Sequence, residues 1–536
     1  MPSEDIQPGV FVEEIPSDSR TITGVATSVT AFLGKASRGP VEQPVGLTSF
    51  GEFERVFGGV DVGLTLGYAV RDFFANGGGQ AVVVRLYRTP DAAAAKATFD
   101  LDHLPLEAAS EGGWGNQVQV RVDHRSATDP DLVATAAELD VAPTDLFDLT
   151  VRDGGTGIVE RFLNVTTKES ARRVDRVLAA ESELVVVPAG TTMPGAATPI
   201  AHAGELTDPD VWTATGGSTS ARSTPTDAVA ADSAALTSAD YVGSLESRTG
   251  LHALEDVDLF NLLCVSADAR GGDVPDGVYG AALDYCVQRR AVLILDPKSA
   301  WSNPATARAG LVAMDLSGDR GRNGAMYFPR VRQVDPLMDG QVDTFAPSGM
   351  IAGVLARTDA RRGVWKAPAG TDASLNGAAG LEVELTDSER RLLNPTGINC
   401  LRTLPTIGEV VWGARTLRAV GAAADAFRYL QVRRTALFIE ESLSRGLAWV
   451  AFEPNRATLW SRIRRSVGDF MHDLFRQGAF QGRTEDVAYW VRCDNGTMTQ
   501  NDIDHGIVNV VIGFAPLKPA EFVIIRLRLM TSQIDP

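Results

Sequence analysis

LFNLLCVSADARGGDVPDGVYGAALDYCVQRRAVLILDPKSA (259–300) places a short apolar run, a segment of helix length and a second apolar run in succession. LFNLLCV (259–265) reads as a strand, 274–290 as a helix and AVLILD (291–296) as a strand. A helix over 299–315 and the strand GAMYFP (324–329) continue the pattern. Strands alternating with helices of this length predict parallel βαβ units. Because the strands are apolar throughout, both faces of their sheet should be covered. The same texture occurs earlier, with a buried strand in 23–33, helices over 50–57 and 64–76, a stop at Gly77, Gly78 and Gly79, and AVVVRL (81–86) as a strand.

Between these two blocks the texture changes. Residues 96–190 contain short alternating runs such as QVQVRVDH (117–124) and FDLTVRD (147–153), the latter followed by Gly154 and Gly155. These are hairpin signals and predict an inserted β-rich domain. Residues 191–244, rich in Thr, Ala, Ser, Gly and Pro, read as a variable surface loop. The expected fold class is therefore α/β (α+β overall): a discontinuous α/β core with parallel βαβ units, an inserted β-rich domain, and strand arms at both ends. The expected division is an arm over 1–20, core over 21–95 and 245–400, the insert between them, a C-terminal domain over 401–520 and an arm over 521–536.

The strongest helix signal is 455–477. Leu459, Ile463, Val467, Phe470, Met471 and Leu474 form one stripe at helical spacing, with Asn455 as the expected N-cap and Gly478 as the stop. Thr499 to Asp502 has the form of a capping box with Asp in the Glu position. GIVNVVIGF (506–514) and EFVIIRLRLM (521–530) follow as strands, with Val523, Ile525, Leu527 and Leu529 on one face and Arg526 and Arg528 on the other.

With 536 residues and 44% hydrophobic content, the chain has ample core for several domains. A net charge of −18 argues against a nucleic-acid coat or an anionic-membrane binder. The opening MPSEDIQPGVFVEEIPSD carries acids where a signal peptide needs basic and then apolar residues, and no stretch reaches the length of a membrane span, so no membrane insertion is expected. The 44 Arg to 6 Lys fit a GC-rich bacterial source.

Reaction chemistry is not encoded in any motif. There is no Walker-type phosphate loop, no G-x-S-x-G elbow and no H-E-x-x-H. Cys264, Cys286, Cys400 and Cys493 are too scattered for a zinc ribbon or a disulfide framework. His103, His124, His202, His252, His472 and His505 offer no local metal pair, and the acidic run DPLMDGQVD (335–343) matches no calcium-loop spacing. No catalytic residue, metal or cofactor is expected.

Two features invite an assembly reading. The terminal runs, Val10, Phe11, Val12, Glu13, Glu14 and Ile15 at one end and Phe522, Val523, Ile524, Ile525, Arg526, Leu527, Arg528, Leu529 and Met530 at the other, read as single strands tethered to the body. They are either edge strands of their own sheet or arms that pair with another subunit through backbone hydrogen bonds. Residues 411–480 hold 11 Arg against 6 acids, a local +5 that leaves −23 for the rest. Arg456, Arg462, Arg464, Arg465 and Arg476 lie on and beside the amphipathic helix, as a solvated face or as a dock for an acidic surface.

Longer strings bear on this choice. GVFVEEI (9–15), TAFLGKASRGP (30–40), NGGGQAVVVRL (76–86), APSGMIAGVLARTDARRGVWKAPAG (346–370), LNPTGINCLRTLPTIGEVVWGARTL (393–417), FRYLQVRRTALFIEESLSRGLAWVAFEPN (427–455) and LFRQGAFQG (474–482) together resemble the contractile tail sheath family, in order along nearly the whole chain. The resemblance implies a structural protein and not an enzyme: copies polymerise as stacked helical rings around an inner tube, between baseplate and cap or terminator proteins. It implies no direct contact with nucleic acid. It also implies that both terminal strands pair with neighbouring copies, and that the basic helix of the C-terminal domain faces an acidic tube. Assembly in the bacterial cytoplasm, within a phage tail or a tail-like particle released by lysis, is the setting it implies. A baseplate-proximal sheath paralogue or initiator, and an α/β enzyme with a β insertion, are the alternatives.

Overall fold

The computed structural model describes residues 20–91, 94–193, 197–207, 211–213, 224–225, 230–419, 425–517 and 523–530. The chain divides into two units, one comprising Ser28–Thr358 and Pro368–Ala423, the other the residues up to Thr27, Asp359–Ala367 and those from Ala424.

The first unit begins with β1 (Thr30–Gly34), β2 (Pro44–Leu47), α1 (Phe50–Phe57), α2 (Leu66–Ala75) and β3 (Ala81–Arg85). Ser49 caps α1 by accepting from the Glu52 amide, and Gly58, in the left-handed region, ends it. The insert follows as β4 (Thr98–Asp100), β5 (Pro105–Ala108), β6 (Val118–Asp123), α3 (Pro130–Glu138), β7 (Leu146–Asp153), β8 (Val159–Thr166), α4 (Val174–Glu181) and β9 (Val185–Val186). Its strands form two three-stranded sheets, β4-β5-β9 and β6-β7-β8, over a core that includes Val120, Val122, Leu149, Val151 and Phe162. The alternating texture of this segment did not announce α3 and α4. Each is short and buries only two or three apolar side chains, so neither builds a long helical stripe.

After α5 (Ser238–Val242), the expected alternation appears as β10 (Leu262–Val265), α6 (Val278–Gln288), β11 (Val292–Leu295), α7 (Pro304–Ala313) and β12 (Gly324–Phe328). Next come β13 (Val331–Val334), β14 (Val342–Phe345), α8 (Ser348–Arg362), β15 (Ala378–Leu381), α9 (Asp387–Leu393), β16 (Ile398–Leu404) and β17 (Gly408–Val411). One eight-stranded sheet gathers strands from both sides of the insert in the order β17-β16-β12-β11-β10-β1-β3-β2. Its interior pairings are parallel, and only the edge strands β2 and β17 run antiparallel to their neighbours. Every residue of β1, β3, β10, β11 and β12 is buried, as a parallel sheet covered on both faces requires.

At the carboxyl end of β11, the Asp296 carboxylate accepts from the Ser348 amide (2.8 Å) and hydroxyl (2.7 Å), holding the start of α8 to the sheet. Burial pushes this carboxyl up to about 6 against those two hydrogen bonds. β13 pairs with β14 and β15 in a separate antiparallel sheet, so DPLMDGQVD (335–343) is largely the turn of a hairpin.

The second unit contains α10 (Leu430–Gly446), α11 (Ala457–Arg476), a short helical turn α12 (Glu485–Ala488), β18 (Tyr489–Arg492), α13 (Gln500–Asp504), β19 (Ile507–Phe514) and β20 (Val523–Met530). All six residues of the expected stripe on α11 are buried, and the capping box at Thr499 and Asp502 forms. The expected N-cap was displaced by one residue. Arg456 holds that position, while Asn455 donates to the Ile507 carbonyl (3.1 Å) and accepts from the Trp460 indole (2.7 Å). Two partners for the Asn side chain outweigh one amide of the helix terminus.

A pH dependence follows from Glu42. It accepts from the Gly250 amide at 2.6 Å, and burial, with a lesser push from Asp240, raises its carboxyl to about 7. The folded chain then binds this proton more tightly than the unfolded chain, so the Glu42 contribution to stability falls as pH rises from about 4.5 to about 7. Glu42→Gln is expected to flatten that decline, measured as urea-unfolding free energy at about pH 5 and about pH 8. An unchanged slope would show that Glu42 does not titrate there.

Candidate assembly surface

In the second unit α10 and α11 share one core with the sheet β18-β19-β20. Val508, Val510, Ile512 and Phe514 of β19 bury the period-2 face of that strand among Val432, Ile439, Ile463, Val467 and Leu474. Gly513 lies directly opposite Trp490, and a Cβ there would come within 2.4 Å of the indole, so the glycine is what lets that ring cover the strand.

β20 pairs antiparallel with β19 of its own chain along its full length, from Val523 opposite Phe514 to Met530 opposite Ile507. Of its side chains, that of Arg526 is described, and it is exposed. The strand lies at the sheet edge, with β18 at the other edge. Phe522 and the whole of Val10 to Ile15 lie outside the described residues.

The root of the N-terminal segment is held within the same unit. Ile22 packs against Gly446, the Val25 amide donates to the Ser442 hydroxyl (3.1 Å), and Thr27 donates to Asp359 (2.7 Å). Asp359 in turn takes a bidentate fork from Arg434 at 2.9 and 2.6 Å, and Arg434 also reaches the Thr27 carbonyl (2.9 Å). Both ion-pair partners are almost fully buried, and desolvation raises the Asp359 carboxyl against the pull of Arg434. Removing one partner of such a pair strands a buried charge, so this clamp fixes three chain segments together.

The five arginines singled out around the helix do not form one patch. Arg462 stacks on Trp449 (4.7 Å) near Glu453 (3.8 Å), while Arg20 stacks on the same indole at 5.3 Å. Arg464 donates to the Cys493 carbonyl (2.9 Å). Arg456 and Arg465 are exposed and carry no ion pair among the described residues. These four cluster in the N-terminal half of α11, where the helix dipole adds positive potential, the first turn holds no acid and no side chain caps the end. Arg476 stands apart in the last turn, beyond the exposed Asp469 and Asp473.

Beside that basic end stands a residue the sequence reading missed. Phe452 is 81% exposed and has φ +74, a left-handed conformation that a bulky side chain adopts only under strain. No local sequence signal marks it, because AFEPN contains no glycine or asparagine at that position.

Comparison with known proteins agrees with this architecture. Residues 287–417 match the family model of the phage tail sheath protein central domain, and 422–530 that of the phage tail sheath C-terminal domain. A prophage major tail sheath protein of Pseudomonas aeruginosa (strain UCBPP-PA14) is 26% identical over 287 residues, 52% of this chain and 69% of the relative. Among solved structures, a sheath tail protein of Listeria innocua superposes with TM-score 0.64 at 14% identity, covering 96% of this chain and 97% of that one. The sheath of the PVC extracellular contractile injection system, in its contracted state, superposes with TM-score 0.54 at 19% identity, covering 99% of both chains. The fold is that of contractile-sheath subunits. Residues 287–417 and 422–530 thus carry the two phage tail sheath domains in their order.

Relief of the strain at Phe452 gives a direct check. Phe452→Gly is expected to raise unfolding free energy by about 1 kcal/mol, because glycine adopts positive φ freely and the exposed ring buries little surface. Chemical denaturation measures it; a loss of stability would show that the ring packs against the fold.

Proposed function

We propose that this chain is the structural subunit of a contractile sheath: copies polymerise helically around an inner tube, and contraction drives that tube through a target envelope. The observation that carries the reading is the edge strand β20, whose pairing with β19 is made by the backbone along its whole length. Any copy of β19 offers the same backbone groups, so β20 can leave its own sheet for a neighbour's at little net cost in hydrogen bonds. The connection 515–522 is eight residues and can span up to roughly 26–29 Å when extended, which gives the strand reach. Val10 to Ile15 supply the second arm, anchored at its root by the Thr27–Asp359–Arg434 clamp.

Arg456, Arg462, Arg464 and Arg465, with Phe452 beside them, form the tube-facing contact: a basic helix end for an acidic surface and one aromatic anchor. Arg476 contributes at the rim. Contraction is a change of lattice, with subunits moving nearly as rigid bodies from an extended, metastable packing to a shorter, wider one that buries more surface. Exchanged strands keep neighbours joined throughout. Baseplate proteins start the polymer and cap proteins end it; assembly takes place in the bacterial cytoplasm within a tail-like particle released by lysis.

An enzymatic reading finds little support. In open α/β sheets ligands bind outside the carboxyl ends of the strands at the switch in strand order. Here that place holds a cavity of about 30 Å³, with Tyr68, Arg270, Arg330 and Phe345 among its lining residues. All four cysteines are buried and desolvation raises each thiol, Cys400 and Cys493 to about 12, which keeps them from acting as thiolates.

Deleting residues 1–20 is expected to abolish sheath polymerisation, read by sedimentation and negative-stain microscopy of the purified chain. Cylinders that form and contract without those residues would refute the role of the arms.

A further inference from the structure

The hairpin β13–β14 ends in a turn with no evident role in its own fold. Residues 336–343 are all exposed, and four apolar side chains crowd there: Val334 (51% exposed) directly across from Val342 (55%), with Leu337 (46%) and Met338 (39%) at the tip. The tip is rigidly based. Asp335, fully buried, accepts from the Tyr68 hydroxyl (2.9 Å) and the Leu337 amide (2.9 Å) and is ion-paired with Arg270 (2.5 Å). Asp339, at φ +51, completes the turn and has no charged partner among the described residues. A protruding, preorganised apolar knob of this kind marks an interaction surface.

The same unit carries a matching socket. Leu311, Val312, Leu316 and Leu417 line a cavity of about 240 Å³ along α7, with Arg308, Asp315 and Thr396 at its rim. An apolar cavity of about 150 Å³ admits a benzene ring, so this one has room for the Leu337 and Met338 side chains together. Val312 is 71% exposed at the mouth. Arg308, exposed and without an ion pair among the described residues, is a partner for Asp339; Asp315 sits about two helical turns away from it.

We infer that the β13–β14 turn of one copy docks into the α7 socket of the next. This inference rests on the reading that the chain self-assembles. Knob and socket lie on different elements, so one copy can dock its knob on a second while a third docks on its own socket, a head-to-tail contact of the kind that builds rings or helices. It is a side-chain contact, separate from strand exchange, and is suited to a lattice whose packing must change while its backbone links persist.

The test uses purified full-length chain. Asp339→Arg and Arg308→Asp, each alone, are expected to raise the concentration needed for polymerisation about tenfold, and the double reversal to restore it. Leu337→Glu with Met338→Glu should act like the single reversals. Met338→Cys and Val312→Cys chains, treated with a short bismaleimide during assembly, should cross-link when mixed but not separately; the native cysteines are buried. Wild type that polymerises while every variant polymerises equally well, or cross-linking of Met338→Cys chains to one another, would overturn the inference. Wild type that never polymerises would instead overturn the assembly reading beneath it.

Discussion

The architecture depends on one parallel pairing, β1 with β10, which sets Thr30 beside Leu262 and Leu33 beside Val265. It joins the strands before the insert to those after it and turns two blocks of sequence into one sheet. Loop-closure entropy rises only with the logarithm of loop length, about 0.6 kcal/mol per doubling, so an insert of this size adds little to the cost of the pairing. Burial of both strands along their whole length offsets that cost. The insert is then free to build its own core.

What could be read from sequence was local. The βαβ alternation in 259–329, the stripe on α11 and the capping box at Thr499 rest on neighbours a few residues apart, and all three appear in the structure. The features that were missed depend on distant partners. Asn455 looked like a cap because the strand carbonyl of Ile507 and the indole of Trp460 were out of view. The fork from Arg434 to Asp359 joins residues far apart in sequence, and Phe452 is set by a loop conformation that no residue preference foretells. In the candidate site, the basic helix was legible as a run of arginines. Its division into a cluster at one end and Arg476 at the other appeared only once the exposed Asp469 and Asp473 were placed.

The second unit spends its stability unevenly. Its core and its buried ion pair are insulated from solvent, whereas β20 at the sheet edge is joined to β19 by the backbone hydrogen bonds that any copy of that strand can supply. Closed on its own sheet, β20 protects an edge; under the proposed function, opening it would make a link. A sheath needs this asymmetry, with bodies stiff enough to move as units and connections indifferent to which copy they join.

The most direct test is a side-chain-resolution reconstruction of the assembled polymer by electron cryo-microscopy, tracing residues 507–530 from copy to copy. The account predicts a hollow helical cylinder in which residues 523–530 of each copy lie against residues 507–514 of a neighbour. A polymer in which every β20 remains on its own β19, or a protein that yields only discrete particles, would contradict it.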